Sequence, residues 1–119
     1  YADGEYWDVP MAVLVNGDSA SASEIFAAAV QDTGRGIVVG EVTYGKGVVQ
    51  TLHAFPEGDG MQLTTATYYT PSGASIHGQG VTPDIEVALA TDASVTYHAP
   101  DAASDAQLAA ALEALGYGA

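Results

Sequence analysis

The sequence lacks cysteine entirely, which excludes disulfide bonds and metal centres built on thiolates. It also lacks any apolar run close to the roughly 20 residues that a membrane-spanning helix needs. A chain without cysteine is compatible with an extracytoplasmic location, where thiols are exposed to oxidation.

Basic residues are almost as scarce as cysteine. Lysine and arginine together number 2, against 15 acidic residues, so the net charge is −13 and the isoelectric point is about 4.1. Nucleic acids and anionic membranes attract clustered lysine and arginine, and this composition argues against both as partners. The two cations are Arg35 and Lys46. A lysine this isolated is a candidate for chemistry rather than for solubility.

The rest of the composition is that of a folded domain. The chain has 119 residues, of which 48% are hydrophobic, and this is enough for one domain with a core. The opening residues, Tyr-Ala-Asp-Gly, resemble the interior of a longer sequence. We therefore expect the chain to be a fragment of a larger protein.

Short apolar runs and a stretch of helical spacing alternate in the first half of the chain. Apolar runs at 11–15 and 37–39 predict strands buried on both faces, with a helix starting near Ser21 between them. The alternating patterns at 48–55 and 61–70 predict an antiparallel hairpin. Strand, helix and strand in succession imply a βαβ unit. With the hairpin added, the prediction is an α/β fold with a mixed β-sheet.

The remaining sequence divides into a short strand, a linker and a helix. We expect residues 1–89 to belong to the core, residues 90–103 to form a linker and residues 104–119 to form an amphipathic terminal helix. A strand is predicted at 85–87, and Ser104 is the predicted cap of the helix. The leucine stripe of this helix would either pack back on the domain or mediate dimerisation.

The first candidate for chemistry is the run Ser-Ala-Ser-Ala-Ser-Glu at 19–24. Ser21 and Glu24 fit the capping-box pattern Ser-x-x-Glu, so one interpretation is that Ser21 only caps the helix. The other is a nucleophilic serine, because free N–H groups at a helix start can hold an oxyanion. Ser19 and Ser23 are rival nucleophiles on the local pattern.

Lys46 is the second candidate and has three interpretations. Residues 40–46 match the G-x-x-x-x-G-K of a phosphate loop, but Gly47 stands where serine or threonine would bind magnesium. A strand pattern also follows, where a phosphate loop needs a helix. The second interpretation is a surface lysine in a glycine turn. The third is a general base, which requires an apolar pocket that favours a neutral amine.

Histidine and metal chemistry have less support. A serine–histidine triad would need a motif that brings His53, His77 or His98 to the serine run, and the sequence contains none. We interpret all three as structural or surface residues. The carboxylates do not follow the spacing of a metal-binding loop, so neither a metal site nor a cofactor is expected.

Taken together, these motifs resemble the carboxyl-terminal processing peptidases, also called tail-specific proteases. The matching segments occur in order over roughly residues 11–87, at 19–25, 31–35, 39–50, 68–73 and 75–85. The resemblance implies a serine endopeptidase that cleaves proteins near their C-termini. It also implies a fold similar to the Clp-protease and crotonase superfamily.

The resemblance assigns the three groups that carry the reaction. Ser21 would be the nucleophile, Lys46 the general base and Gln50 the residue that orients the lysine amine. No cofactor is implied. The expected partner is a protein or peptide substrate with an extended C-terminal segment, admitted by a PDZ domain upstream of this chain.

Three further residues would support the site by resemblance. The Ala22 N–H matches one oxyanion-hole donor, and Glu24 and Asp32 match acidic supporting positions. The second oxyanion donor would come from a stretch outside this chain. Ala74 and His77 depart from the arginine and glutamine that are common in the family.

The resemblance also predicts where the protein acts. It indicates an extracytoplasmic bacterial protein, located in the periplasm, in the cell envelope or secreted, and membrane-anchored in full length. We expect the fragment to be folded, weakly active or inactive, and to form a homo-oligomer through an exposed sheet edge. The alternative is a non-catalytic peptide-binding or scaffold remnant of the same fold.

Overall fold

A computed structural model describes residues 8–89 and 101–117 of the chain. The elements of these residues, in chain order, are β1 (Ala12–Val15), α1 (Ala22–Asp32), β2 (Ile37–Gly40), β3 (Val48–Ala54), β4 (Gly60–Thr67), β5 (Ile85–Glu86) and α2 (Ala106–Ala114). Each strand and helix predicted from the sequence is present, but α2 is shorter than the predicted 104–119 segment and β4 ends before the predicted residue 70.

The described strands form two separate sheets. β1, β2 and β5 form a parallel sheet in the order β1-β2-β5, and β3 pairs with β4 as an antiparallel hairpin. The α/β class and the βαβ unit are confirmed, but the parallel and antiparallel strands do not share the single mixed sheet that was expected. The loop between β2 and β3 is held against α1 and the 77–81 segment, so β3 starts away from β2.

The central strand β2 is covered on both faces. Val38 and Val39 point to opposite sides of the sheet, yet both are fully buried. On one side Val38 packs with Val15 of β1 and Ala27 of α1. The second helix, α2, contacts β1 and β2 and covers the other side. This packing fixes the start of α1 above the carboxyl end of β1.

The N-cap of helix α2 lies one residue after the predicted cap, Ser104. Asp105 is the N-cap, and its side chain accepts a hydrogen bond from the Leu108 N–H at 2.9 Å. Ser104, the predicted cap, instead donates its hydroxyl to the Asp101 carbonyl within the preceding turn. The Gln107 amide donates to the backbone just after β5, so the helix packs back on the domain.

Most of the predicted linker at 90–103, including His98, lies outside the described residues. In the part of the chain that the structure covers, neither helix is long and apolar enough to cross a bilayer. The same residues contain no group of three or more histidine and carboxylate side chains placed to hold a metal ion.

Candidate active site

Ser21 occupies a strained position at the junction between β1 and α1. Its backbone angles are φ 57° and ψ −112°, and it is the only non-glycine residue among those described that has a positive φ. Such a conformation costs on the order of 1–3 kcal/mol and is concentrated at functional sites. A strained serine between a strand and a helix is also the setting of a nucleophile elbow.

The two rival serines have ordinary structural roles. The Ser19 hydroxyl accepts a hydrogen bond from the Asn16 N–H at 3.1 Å and donates to the Asn16 side chain at 3.3 Å, closing a turn. Ser23 lies within the first turn of α1 and is exposed. Among the three serines, the strained backbone therefore distinguishes Ser21, which remains the candidate nucleophile.

Ser21 caps α1, and the cap includes backbone hydrogen bonds in addition to its hydroxyl. Ser21 and Glu24 form the predicted capping box, in which the Ser21 N–H donates to Glu24 Oε2 at 2.9 Å. The Glu24 N–H has the Ser21 carbonyl oxygen as an acceptor at 3.0 Å. Since that N–H has a backbone partner, the structural and nucleophilic interpretations of Ser21 are compatible.

The Glu24 carboxylate connects the serine turn to the lysine loop. It is fully buried and also accepts hydrogen bonds from the Thr43 hydroxyl at 2.6 Å, the Gly45 N–H at 2.6 Å and the Lys46 N–H at 2.8 Å. The Ser21 and Lys46 N–H groups bond the same oxygen, Oε2. Their nitrogen atoms therefore lie within about 6 Å of each other.

The surroundings of Glu24 favour its ionised form. Burial raises the pKa of this carboxyl, but hydrogen bonds from Thr43, Gly45, Lys46 and Ser21 outweigh burial and hold the pKa below its ordinary value. An ionised carboxylate accepts stronger hydrogen bonds than a neutral group does. Glu24 thus acts as a charged anchor for two backbone segments that are distant in sequence.

The glycines that flank Lys46 are required by packing. Gly45 has a φ of 88° and accepts a hydrogen bond at its carbonyl from the Gly78 N–H at 2.9 Å. A Cβ at Gly47 would lie 2.7 Å from the His77 backbone nitrogen. The lysine loop then continues into β3 rather than into a helix, so its architecture is not that of a phosphate loop.

Ser21 and Lys46 line one cavity of about 380 Å³, together with Ala22, Gln50 and residues of α1, β3 and β4. Ala22 is the first residue of α1, and its N–H has no backbone acceptor among the described residues. Within residues 8–89, no hydrogen bond joins the Ser21 hydroxyl to the Lys46 amine. Uncomplexed catalytic groups often approach more closely only when substrate binds.

Gln50 lies on the same cavity wall in β3. Its side-chain oxygen accepts a hydrogen bond from the Gln62 amide of β4 at 3.1 Å. A bulge between Val49 and Gln50 interrupts the hairpin register at this point. Bulges re-aim side chains, and this one lies where the hairpin borders the cavity.

The backbone of Lys46 is fixed from two sides, while its side chain is exposed. Glu24 accepts from its N–H, and the Tyr68 hydroxyl donates to its carbonyl oxygen. The apolar pocket expected around the amine is not formed by the described residues, which leave Lys46 exposed. The Tyr68 hydroxyl therefore holds the lysine loop against the segment that follows β4.

Asp32 lies at the opposite end of α1 from Ser21. The helix spans 11 residues, which places the two roughly 16 Å apart along its axis. Hydrogen bonds from Thr70 and Ser72 lower the pKa of Asp32, and the Ser72 N–H bonds its carboxylate at 2.8 Å. Asp32 therefore anchors the 70–73 turn and does not border the cavity.

Two residues that bond the Glu24 carboxylate or the lysine loop were not assigned to the site from the sequence. Thr43 donates to Glu24, and Tyr68 donates to the Lys46 carbonyl. Both lie inside the motifs that carried the resemblance, which is the signal that marks them. The pattern alone did not indicate which partners their hydroxyl groups would find.

Comparison with known proteins identifies the family. The profile described as "Peptidase family S41" matches residues 1–87. This chain belongs to peptidase family S41. Its relatives include a carboxy-terminal-processing protease of Bartonella bacilliformis, 56% identical over 78 residues that make up 66% of this chain and 18% of the relative. A carboxyl-terminal-processing protease of Picosynechococcus is 44% identical over 108 residues, covering 91% of this S41 chain and 25% of the relative.

Solved S41 structures agree with the sequence match. The photosystem II D1 C-terminal processing protease superposes with a TM-score of 0.63 at 45% identity, covering 70% of this chain and 22% of that one. The tricorn protease superposes with a TM-score of 0.56 at 26% identity, covering 66% and 8% respectively. The chain thus spans 18% to 25% of the length of the two curated relatives described above.

Proposed function

We propose that the protein is a serine endopeptidase that cleaves proteins near their C-termini, with Ser21 and Lys46 as its catalytic dyad. The observation that carries this proposal is the shared anchor: both N–H groups bond Glu24 Oε2, at 2.9 and 2.8 Å, and both residues line one cavity. The names of the curated relatives support the reaction class.

The proposed reaction proceeds through an acyl-enzyme. The neutral Lys46 amine takes the Ser21 proton as Ser21 Oγ attacks the scissile carbonyl. The Ala22 N–H, free at the start of α1, stabilises the oxyanion. Lys46 then gives the proton to the leaving amine, and water resolves the acyl-enzyme. Gln50 orients the amine from β3, held in turn by Gln62.

Other parts of the longer protein complete the site in this proposal. To act as a general base, the exposed Lys46 side chain requires an apolar segment that shields its amine from water. The oxyanion requires a second hydrogen-bond donor. We assign both to segments outside this chain, along with an upstream PDZ domain that admits the substrate C-terminus. The proposal includes the Clp-protease and crotonase-like architecture and an extracytoplasmic location. It also includes self-association through β1, an edge of the described parallel sheet.

Peptide hydrolysis by the full-length protein tests the proposal. An unstructured peptide with an apolar C-terminus should be cleaved by the wild type and left intact by Ser21→Ala, while Ser23→Ala retains activity because Ser23 is an exposed helical residue. A phosphonate that reacts with activated hydroxyls should label Ser21. Cleavage by Ser21→Ala at the wild-type rate would refute the assignment. A folded wild-type protein that binds the peptide without cleaving it would favour the alternative of a non-catalytic scaffold. The exposed side chain of Lys46 is the observation in favour of that alternative.

A further inference from the structure

Thr43 is a buried polar residue whose hydroxyl uses both of its hydrogen-bonding capacities. It lies between β2 and β3 and is 5% exposed. The hydroxyl donates to Glu24 Oε1 at 2.6 Å and accepts from the Val81 N–H at 2.7 Å. The direction of both bonds is fixed, because a carboxylate only accepts and a backbone N–H only donates.

The backbone of Thr43 strengthens the same connection. Its N–H donates to the Val81 carbonyl oxygen at 3.2 Å, so both backbone groups of Val81 bond to Thr43. Val81 in turn packs in a buried cluster with Ala28 of α1. Because Glu24 and Ala28 belong to the same helix, these contacts form a closed ring: α1 to Thr43, Thr43 to Val81, and Val81 back to α1.

This ring determines where the lysine loop sits relative to the serine. Thr43 lies three residues before Lys46 and shares its acceptor, Glu24, with Lys46 and Ser21. Without the hydroxyl, Glu24 would lose one donor, and the buried Val81 N–H would lose its acceptor. Both changes favour a displaced loop. A displacement of about 1 Å between reacting groups can reduce a rate by about 100-fold.

We propose that Thr43 is a positioning residue for the serine–lysine reaction, acting through Glu24 to set the separation of Ser21 and Lys46. This inference rests on the proposed function. Thr43 does not line the cavity and acts through Glu24 on the separation of the reacting groups, so its effect falls on the chemical step rather than on substrate binding. The acting group is the hydroxyl, because the methyl group forms neither of the two bonds.

Three variants of the full-length protein test this inference by steady-state peptide hydrolysis. Thr43→Val keeps the shape and removes the hydroxyl, and we expect kcat to fall by about 100-fold. KM should change by less than about threefold, since uniform binding is untouched. Thr43→Ser restores the hydroxyl and should recover kcat to within about fivefold of wild type. Thr65→Val is the matched control, because its hydroxyl bonds only another exposed threonine of the hairpin, Thr51.

The outcomes separate this inference from the proposed function. Loss of activity in Ser21→Ala together with a wild-type kcat in folded Thr43→Val would overturn the role of Thr43 and leave the dyad intact. Undiminished activity in Ser21→Ala would overturn the dyad itself. If Thr43→Val does not fold, Thr43→Ser decides: a folded Thr43→Ser variant whose kcat is reduced about 100-fold would contradict the hydroxyl as the acting group.

Discussion

The parallel sheet and the hairpin meet at the candidate site, but they differ in how far their apolar side chains are exposed. In the sheet, Val38 and Val39 are 0% exposed. In the hairpin, Leu52 is 71% exposed, and Met61 and Leu63 are each 43% exposed. The central strand β2 is therefore covered within the described residues, although Leu14 of the edge strand β1 is 43% exposed, whereas the hairpin presents an apolar surface that these residues do not cover.

The two sides of the candidate site differ in the same way, because one lies on the sheet and the other on the hairpin. The Ser21 side of the candidate site lies on the parallel sheet and α1, where Glu24 fixes the backbones of Ser21 and Lys46. Its other wall is the hairpin, which supplies Gln50 and Gln62. The backbone positions of the two residues of the proposed dyad are thus set locally, while the environment of the lysine side chain depends on what covers the hairpin wall.

The largest expected effect comes from breaking the buried anchor. In the full-length protein, Glu24→Gln replaces one accepting oxygen with an amide that faces two donors, and we expect the unfolding free energy to fall by about 3 kcal/mol. Denaturant unfolding measures the change. Glu57→Gln, an exposed change in the hairpin turn, should stay within about 0.5 kcal/mol. Equal losses for the two variants would contradict the anchor.

Shortening one apolar side chain in each region to alanine compares the sheet with the hairpin directly. In the 119-residue chain, Val38→Ala should cost about 2 kcal/mol, because it leaves a cavity in the covered strand. Leu52→Ala should cost less than about 0.5 kcal/mol there, since its side chain is largely in water. In the full-length protein the Leu52→Ala loss should grow if another segment covers the hairpin. A Leu52→Ala loss that matches the Val38→Ala loss in the short chain would overturn the comparison.

The smallest expected effect is the pH dependence of the anchor. The folded-state pKa of Glu24 lies below its ordinary value of 4.5, so its contribution to stability is present above pH 4.5 and is lost as the pH falls through the folded pKa. The difference in unfolding free energy between wild type and Glu24→Gln should therefore shrink in acid. Unfolding curves measured from pH 7 downward test this sign, and a difference that widens in acid would contradict it.

Local patterns predicted the elements because the signals are local. The apolar run that forms β1, the Ser-x-x-Glu at the start of α1 and the alternation in the hairpin each specify their own segment. The local pattern predicted Glu24 as part of the capping box, but its supporting role at the site was predicted only from the family resemblance. Its four donors come from two segments about 20 residues apart, and no periodicity reports such a pairing.

Apart from the N-cap of α2, which is a local contact, the features that the sequence did not reveal depend on contacts between distant residues. Asp84 accepts from the Val38 N–H and from the Gln31 amide, which fixes β5 beside β2. The Tyr68 hydroxyl finds the Lys46 carbonyl across 22 positions. Which acceptor a hydroxyl or amide reaches is decided by tertiary packing, so separate sheets and positioning residues emerge only from the structure.

Turnover by Lys46→Arg in the full-length protein tests the central claim most directly. Arginine keeps the positive charge but does not release its proton in proteins, so it cannot act as a general base. The account predicts that hydrolysis of the unstructured peptide is abolished, with the fold preserved because Glu24 bonds only the backbone of residue 46. Activity within about tenfold of wild type would contradict the general-base role of Lys46.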